Sequence, residues 1–305
     1  MNMAELPNLH NLRGELRLNE PMARHVSWRA GGAAARAYFP ADVDDLAVFL
    51  REISSTEDLY FVGLGSNLLV RDGGVRATVV FTHWALRQIS VLSTGENNIA
   101  IYAEAGIASP KVARFAALHG AEGAEFLAGI PGTVGGALSM NAGCYGGETW
   151  HLVEGVRTID RHGVVRQRAA REFKIGYRSV AGPAGEAFVA VTFRVPLGDG
   201  NKSRNKIKEL LSRRIASQPL QQPNAGSVFR NPPNDHAARL IEACGLKGTR
   251  IGNAEISRKH SNFIVNTGGA SAADIESLIE LAQNTVREKF GVELEREVRI
   301  IGERA

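Results

Sequence analysis

Apolar residues recur along the first two thirds of the chain at the spacings of short helices and strands. In residues 42–53 they return every three or four positions, which predicts an amphipathic helix. The next apolar run, residues 59–70, is interrupted by GLGSN, which predicts a strand that ends in a glycine turn. The same criteria predict strands at 76–84, 97–106, 152–160, 163–168 and 187–196, and a helix from Ser109 to Gly120.

The last third of the chain predicts helices and one final strand. A polar stretch at 199–205 predicts a loop that separates this part from the preceding strands. Three helices are predicted at 206–218, at 235–245 with Asn234 or Asp235 as its cap, and at 271–291 with Ser271 as its cap. The sequence then alternates, with Val292, Leu294, Val298 and Ile300 on one face of a predicted strand and Glu293, Glu295, Glu297 and Arg299 on the other.

Composition places the chain among ordinary globular proteins. Its 305 residues suggest two or three domains, and 44% hydrophobic and 22% charged residues are typical of a soluble protein. The net charge is +4, and the basic residues are spread along the chain instead of forming a patch. This disfavours nucleic acid as a partner and suits small anionic ligands such as phosphates.

The two cysteines, Cys144 and Cys244, have no Cys or His neighbour at metal-ligand spacing. They predict reduced thiols in a cytoplasmic protein without a metal site. No stretch approaches the roughly 18 apolar residues of a membrane span, and the N-terminal residues lack the apolar region of a signal peptide. We therefore expect neither membrane insertion nor secretion.

Two glycine-rich loops are candidates for binding a phosphate-bearing cofactor. The first, GLGSNL at 63–68, lacks the third glycine of the Rossmann fingerprint because Leu68 stands there, and an ordinary tight turn remains an alternative. The second, at 129–143, places glycines among apolar residues. Such a loop could lie against a flat ring or phosphates, or it could be a packing corner between two elements.

Three polar residues are candidates for chemistry, each with an ordinary structural alternative. Arg178 follows a Gly-Tyr turn and could hold a carboxylate or phosphate, or it could be a solvated surface arginine. Glu297 could be buried by sheet formation or could lie on an exposed strand face. Ser227 in NAGSVFRNP lacks the surroundings of a serine nucleophile, which leaves a proton donor, a ligand contact or an incidental turn residue.

Six blocks, taken in order, resemble the UDP-N-acetylenolpyruvoylglucosamine reductase (MurB) family. They are FVGLGSNLLVRDGGV, GAEFLAGIPGTVGGALSMNAGCYGGE, GYRSV, NAGSVFRNP, AEISRKHSNFIVN and LEREVRIIG. No segment matches the inserted tyrosine loop of the longer class, so the chain is similar to the shorter class. The resemblance implies an α+β fold with an FAD-binding part of the vanillyl-alcohol-oxidase type and a C-terminal substrate-binding domain.

The resemblance also implies domains and site residues. The domains would be an FAD-binding subdomain at 1–84 completed by a strand at 295–305, a second subdomain at 85–205 and a substrate-binding domain at 206–294. Cofactor contacts would come from Gly63, Gly65, Ser66, Asn67, Leu68, Gly129, Pro131, Gly132, Gly135, Gly136, Ser139, Asn141 and Gly143. The catalytic residues would be Arg178, Ser227 and Glu297, and substrate contacts would come from Tyr177, Arg214, Gln218, Arg230, Asn231, His260 and Asn262.

The implied reaction uses bound FAD and NADPH to make UDP-N-acetylmuramate for peptidoglycan. Hydride would pass from flavin N5 to C3 of the enolpyruvyl group, and Ser227 would protonate C2. Arg178 and a protonated Glu297 would stabilise the charge that develops between these steps. The implied protein is a monomer without a nucleic-acid or membrane partner. A different flavin oxidoreductase of the same fold and a non-enzymatic nucleotide-binding protein are the alternatives.

Overall fold

The computed structural model describes residues 11–305, and these residues form two compact units. The first unit contains residues 11–17, Arg36–Gly63 and Ala77–Leu211, and the second contains Leu18–Ala35, Leu64–Arg76 and Ser212–Ala305. The first ten residues of the predicted domain 1–84 lie outside the described part. The three domain boundaries expected from the sequence stay a prediction.

Helices occur in both units, and the best-capped ones are those that the sequence predicts most clearly. Asp42 accepts a hydrogen bond from the main chain of Asp45 at the start of the first helix. Ser271 and Asp274 form a capping box at the start of the last helix, which ends at Gly291 in the left-handed conformation. The α-helices are α1 (Val43–Glu52), α2 (Ser109–Leu118), α3 (Val134–Ser139), α4 (Gly200–Ser217), α5 (Ala237–Ala243) and α6 (Ala272–Phe290).

The first unit contains a five-stranded antiparallel sheet. In spatial order its strands are Val165–Ala169, Val153–Ile159, Ala187–Pro196, Asn98–Glu104 and Ile89–Thr94. Two short hairpins pair Lys174–Gly176 with Ser179–Ala181 and Gly143–Cys144 with Gly147–Glu148. A four-stranded sheet, which is not confined to the first unit, has the order Glu15–Pro21, Ala33–Phe39, Val75–Phe81 and Leu59–Val62, with its last two strands parallel.

The second unit joins distant parts of the sequence through short strands. Leu68–Val70, directly after the first glycine loop, pairs in parallel with Arg299–Ile301 near the end of the chain. A three-stranded antiparallel sheet consists of Arg250–Ile251, Ala254–Ile256 and Ile264–Asn266. The mixture of helices with mainly antiparallel sheets confirms the predicted α+β class.

Each unit has its own apolar core. In the first unit, α2 and α3 pack against one face of the five-stranded sheet, and a further cluster surrounds α1. In the second unit, Trp28 and Leu69 pack with α5 and α6 around the buried side chains of Val228 and Phe229. The second core therefore holds the two residues that follow Ser227.

Four local predictions from the sequence are wrong. Residues 200–205 are not a loop but the first turns of α4, because Asp199 accepts main-chain hydrogen bonds at the helix start. Helix α2 is capped by Ala108 instead of Ser109, and α5 by His236 instead of Asn234 or Asp235. The terminal strand is confined to Arg299–Ile301, so Glu297 precedes the strand.

A buried carboxylate ties α6 to residues that follow the two strands of the parallel pair. Glu276 accepts hydrogen bonds from Arg71 at 2.8 and 2.9 Å and from Arg304 at 3.2 Å, and it is 5% exposed. The same Arg71 donates to the carbonyl of Gly302. Mainly because of the Arg71 hydrogen bonds, the pKa of Glu276 lies below its ordinary value.

Replacing this carboxylate should therefore destabilise the protein in a pH-dependent way. Glu276→Gln should lower the free energy of unfolding at pH 7 by about 2 kcal/mol, since hydrogen bonds to a charged group are lost. The pKa is lower in the folded state, so this contribution is present above the unfolded value near 4.5 and disappears as the pH falls through the folded value. Urea unfolding at a series of pH values from 7 to 3 would measure the effect. The control Glu280→Gln removes the more exposed partner of Arg304 and should change the free energy of unfolding by less than about 1 kcal/mol.

Candidate functional site

The segment that contains Ser227 is held along both edges by main-chain hydrogen bonds. Val228 donates to the carbonyl of Asn262 at 2.9 Å, and the carbonyl of Val228 accepts from Glu297 at 2.8 Å. Val228 and Phe229 are 0% and 2% exposed, so their side chains anchor the segment in the core as the sequence predicts. Ser227 itself is only half-buried, which leaves its hydroxyl accessible beside a fixed main chain.

Glu297 is fixed next to this segment by a residue of the first glycine loop. The side-chain amide of Asn67 donates to the carbonyl of Glu297 at 3.0 Å, and Arg299 donates to the carbonyl of Asn67 at 3.0 Å. Glu297 is half-buried, whereas Glu293 and Glu295 are exposed. The second unit therefore brings together Asn67, Ser227 and Glu297. In the sequence, Asn67 lies 160 residues before Ser227, and Glu297 lies 70 residues after it.

Gly65 adopts a conformation that only glycine tolerates without strain. Its φ is 58°, and a Cβ atom there would lie 2.1 Å from the carbonyl oxygen of His25. Ser27 donates to the carbonyl of Gly65 at 3.1 Å. Within residues 11–305, the main-chain N–H groups of Leu64, Gly65 and Ser66 donate to no main-chain acceptor. They are suited to an anionic ligand.

Four of the predicted substrate residues of the second unit already have protein partners. Arg214 donates to the side chain of Gln218 at 2.9 Å, and Arg230 donates to the carboxylate of Glu295 at 2.6 Å. Asn231 accepts from the main-chain N–H of Ala237 at 3.1 Å, at the start of α5.

His260 and Asn262 lie in the loop that precedes the strand Ile264–Asn266. Burial lowers the pKa of His260, with Lys247 a second cause, and this favours the neutral imidazole. Its Nδ1 atom is buried and has no hydrogen-bond partner in the described part of the chain. Asn262 is 4% exposed, and its side chain bonds to the main chain of Phe229.

The second glycine-rich loop lies in the first unit and has a buried and an exposed side. Gly129 and Gly143 are required by packing, because a Cβ atom would lie 2.6 Å from the sulfur of Cys144 and 2.4 Å from the carbonyl of Gly147, respectively. At Gly136 a Cβ atom would meet only the Thr133 hydroxyl, at 3.7 Å. The exposed residues of this loop include Pro131, Gly136 and Ser139, and Ser139 donates to the carbonyl of Gly135.

Asn141 joins this loop to the hairpin that carries Tyr177 and Arg178. It is fully buried, and its amide donates to the carbonyl of Gly176 at 3.2 Å and to Glu148 at 2.8 Å. Its side-chain oxygen accepts from the main chain of Trp150 at 3.1 Å. The predicted cofactor contact of Asn141 stays a prediction, and the observed contacts position the hairpin.

Arg178 is held at the turn of that hairpin. Its φ is 52°, a conformation that is unfavourable for a residue with a side chain. Its guanidinium donates to the carbonyl of Gly143 at 2.9 Å and lies over the ring of Tyr177 at 5.3 Å. Arg178 is half-buried and Tyr177 is exposed, so Arg178 is not a fully solvated surface arginine.

These loops fit a flavin dinucleotide in the features that the structure contains. Gly136 is not required by packing, and a side chain there would cover exposed main chain of the second loop. The main-chain N–H groups of residues 64–66, which donate to no main-chain acceptor within residues 11–305, are the kind of group that binds a pyrophosphate. The cofactor contacts expected from the two loops stay a prediction.

The sequence reasoning missed one contributor to the site, Thr133, and the structural roles of two predicted residues. Thr133 caps α3 and contacts Gly63, where a Cβ atom would lie 2.3 Å from its hydroxyl. A threonine before a short apolar segment is an N-cap signal that could have revealed α3. The structural roles of Asn67 and Asn262 have no local signal, because their partners are more than 30 residues away.

Neither a membrane span nor a metal centre is found in the described residues. No helix in residues 11–305 is both long and apolar enough to cross a membrane. The same range contains no group of three or more His, Cys, Asp or Glu side chains arranged to hold a metal ion.

Comparison with known proteins finds matches over nearly the whole chain. The family model described as UDP-N-acetylenolpyruvoylglucosamine reductase, C-terminal domain, matches residues 218–301, and the FAD binding domain model matches residues 34–167. The chain is 56% identical to the UDP-N-acetylenolpyruvoylglucosamine reductase of Thiobacillus denitrificans, over 96% of this chain and 94% of that protein. The corresponding protein of Methylococcus capsulatus is 57% identical, over 95% of this chain and 94% of the relative.

A solved structure extends the likeness to three dimensions. The crystal structure of UDP-N-acetylenolpyruvylglucosamine reductase (MurB) from Thermus caldophilus is similar with a TM-score of 0.77 at 31% identity. The match covers 95% of this chain and 99% of that chain. The likeness therefore includes both the part matched by the FAD binding domain model and the C-terminal part.

If the first loop binds FAD, Gly65→Ala should abolish this binding. The new Cβ atom would clash with the carbonyl of His25 and displace the N–H groups of the loop. We expect purified Gly65→Ala protein to contain little flavin and to gain no thermal stability from added FAD. The control Gly291→Ala has a similar φ of 66° but open space around its Cβ atom, so it should lose about 1 kcal/mol and keep its flavin. Normal flavin content in both variants would contradict the assignment of this loop.

Proposed function

The chain belongs to the UDP-N-acetylenolpyruvoylglucosamine reductase family, and from that premise we propose that it uses NADPH to reduce UDP-N-acetylglucosamine enolpyruvate to UDP-N-acetylmuramate. The product is a precursor of peptidoglycan. The observation that supports this most is the 2.8 Å hydrogen bond from the Glu297 main chain to the carbonyl next to Ser227. It places a carboxylic acid and a hydroxyl on adjacent fixed segments.

When bound, FAD would supply the hydride chemistry that links NADPH to C3 of the enolpyruvyl group. The residues that would hold it are Gly63, Gly65, Ser66, Asn67 and Leu68 of the first loop. Those of the second loop are Gly129, Pro131, Gly132, Gly135, Gly136, Ser139, Asn141 and Gly143.

Ser227 acts as the proton donor to C2 of the substrate. A serine hydroxyl is a weak acid, so it transfers a proton efficiently only to a strongly basic carbon and only when it is well aimed. The hydrogen bonds on both edges of residues 228–230 restrain the main chain that carries it. Gly226 has a φ of 75°, and a Cβ atom there would meet nothing within 4 Å, so it is the main-chain conformation and not packing that favours glycine before Ser227.

Arg178 and Glu297 stabilise the negative charge that develops on the enolpyruvyl carboxylate. Arg178 offers a fixed guanidinium, because Gly143 and Tyr177 hold it. Glu297 acts in its protonated form as a hydrogen-bond donor. Donors that are fixed before the reaction stabilise such charge without further rearrangement.

The sugar nucleotide would be bound by the remaining candidates. These are Tyr177, Arg214, Gln218, Arg230, Asn231, His260 and Asn262. The neutral His260 imidazole and the guanidinium groups of Arg214 and Arg230 supply the donors and acceptors that a diphosphate and a uracil require. A monomeric state and a cytoplasmic location complete the proposal.

The proposed function is tested by separating its two half-reactions. Ser227→Ala should bind FAD and be reduced anaerobically by NADPH at the normal rate, since the hydroxyl has no part in that step. Reoxidation by UDP-N-acetylglucosamine enolpyruvate should slow by about 10²–10⁴-fold, the usual contribution of a positioned proton donor. Stopped-flow flavin absorbance measures both rates. A normal reoxidation rate in Ser227→Ala would exclude Ser227 as the proton donor.

The protonated state proposed for Glu297 makes a distinct prediction. Glu297→Ala should slow reoxidation by about 10²–10³-fold, because a donor to the developing charge is lost. Glu297→Gln keeps a neutral donor of similar shape and should retain more activity than Glu297→Ala. Glu293→Gln, an exposed change on the same segment, is the control and should react normally. Equal losses in the Gln and Ala variants would contradict a neutral donor.

A further inference from the structure

The side chain of Asn262 makes the hydrogen bonds to the Ser227 segment that a neighbouring strand would make. Its Oδ1 atom accepts from the main-chain N–H of Phe229 at 3.0 Å, and its Nδ2 atom donates to the carbonyl of Phe229 at 2.8 Å. Its own carbonyl accepts from Val228 at 2.9 Å. One residue thus satisfies three buried main-chain groups on this edge.

The contacts on the other edge and upstream show why this matters for Ser227. The opposite edge is held by Glu297, which donates to the carbonyl of Val228, and by Glu295, whose carbonyl accepts from Arg230. Upstream, Ala225 is buried and the main-chain N–H of Gly226 donates to the side chain of Asn224 at 3.0 Å. The residues on both sides of Ser227 are therefore held, and Asn262 contributes to holding those on its C-terminal side.

We propose that Asn262 is a positioning residue for Ser227, in addition to any contact with the sugar nucleotide. This inference rests on the proposed role of Ser227 as proton donor. Loss of the amide would leave the N–H and C=O of Phe229 buried without partners, and the segment would shift to recover them. A shift of about 1 Å is enough to slow a reaction roughly 100-fold.

A positioning role and a substrate contact differ in what they change. A contact residue alters the affinity for the sugar nucleotide. A positioning residue alters the rate of the step in which Ser227 takes part and leaves the affinity nearly unchanged. The two roles can thus be separated with the same variants.

The experiment compares Asn262→Ala and Asn262→Asp with Asn266→Ala. Asn266 is a matched control because it is also 4% exposed and its side chain also bonds only to main-chain groups. It makes three such bonds, against two for the side chain of Asn262, and they go to Trp28, Gly268 and Ala270. In the FAD-loaded Asn262→Ala protein, we expect normal reduction by NADPH, and UDP-N-acetylglucosamine enolpyruvate is supplied at saturation so that loss of a contact does not limit the second step. Reoxidation by that substrate should slow roughly 100-fold.

The aspartate variant covers the case in which the alanine variant does not fold. Asn262→Asp keeps the acceptor for the Phe229 N–H and loses the donor to the Phe229 carbonyl, so we expect a smaller loss of roughly 10-fold. Hydrogen exchange of the peptide 224–232 gives a readout that does not depend on catalysis. It should become faster in both Asn262 variants and stay unchanged in Asn266→Ala.

The outcomes distinguish this proposal from the proposed function. Weaker substrate binding with a normal reoxidation rate would overturn the positioning role, and so would equal losses in Asn262→Ala and Asn266→Ala. Normal reoxidation in Ser227→Ala would instead show that the proposed chemistry of Ser227 has failed. In that case, if hydrogen exchange of the peptide 224–232 were also unchanged in the Asn262 variants, the positioning role of Asn262 would be rejected as well.

Discussion

The hydrogen-bonding requirement of Val228 and Phe229 is the constraint on which the second unit's part of the candidate site depends. Their apolar side chains are almost fully buried, so their main-chain groups are also removed from water and need protein partners. The partners come from Asn262 and Glu297, which lie more than 30 and more than 65 residues away. Burial of two hydrophobic residues therefore fixes the segment that carries Ser227.

The same constraint extends to the first glycine loop. Because Glu297 donates to Val228, its own carbonyl has a defined position and can accept from Asn67. The parallel pairing of Leu68–Val70 with Arg299–Ile301 holds the adjoining chain in register. A loop proposed to bind cofactor and a glutamate proposed to stabilise charge are thus parts of one hydrogen-bonded structure.

The sequence predicts those features whose determinants are local. The capping box at Ser271 and the apolar spacing of residues 42–53 specify α6 and α1 through contacts within a few residues. The predicted terminal strand is too long. Apolar and polar residues alternate through 292–298, but the strand itself begins only at Arg299. The catalytic candidates were identified through the family resemblance, because nothing in the residues next to Ser227 distinguishes a proton donor from an incidental turn residue.

Asparagine shows why residue type alone does not give the role of a side chain. Asn67, Asn141 and Asn262 were each expected to contact a ligand, and each has a side-chain hydrogen bond to the main chain of a distant segment. The carboxamide carries both a donor and an acceptor, so it can pair with a main-chain carbonyl, a main-chain N–H or both. A residue with this ability is useful where two irregular segments must be held together without a regular strand between them. The segments held in this way carry Glu297, Tyr177 with Arg178, and Ser227, so the accuracy of the proposed chemistry depends on three neutral amides as well as on the reacting groups.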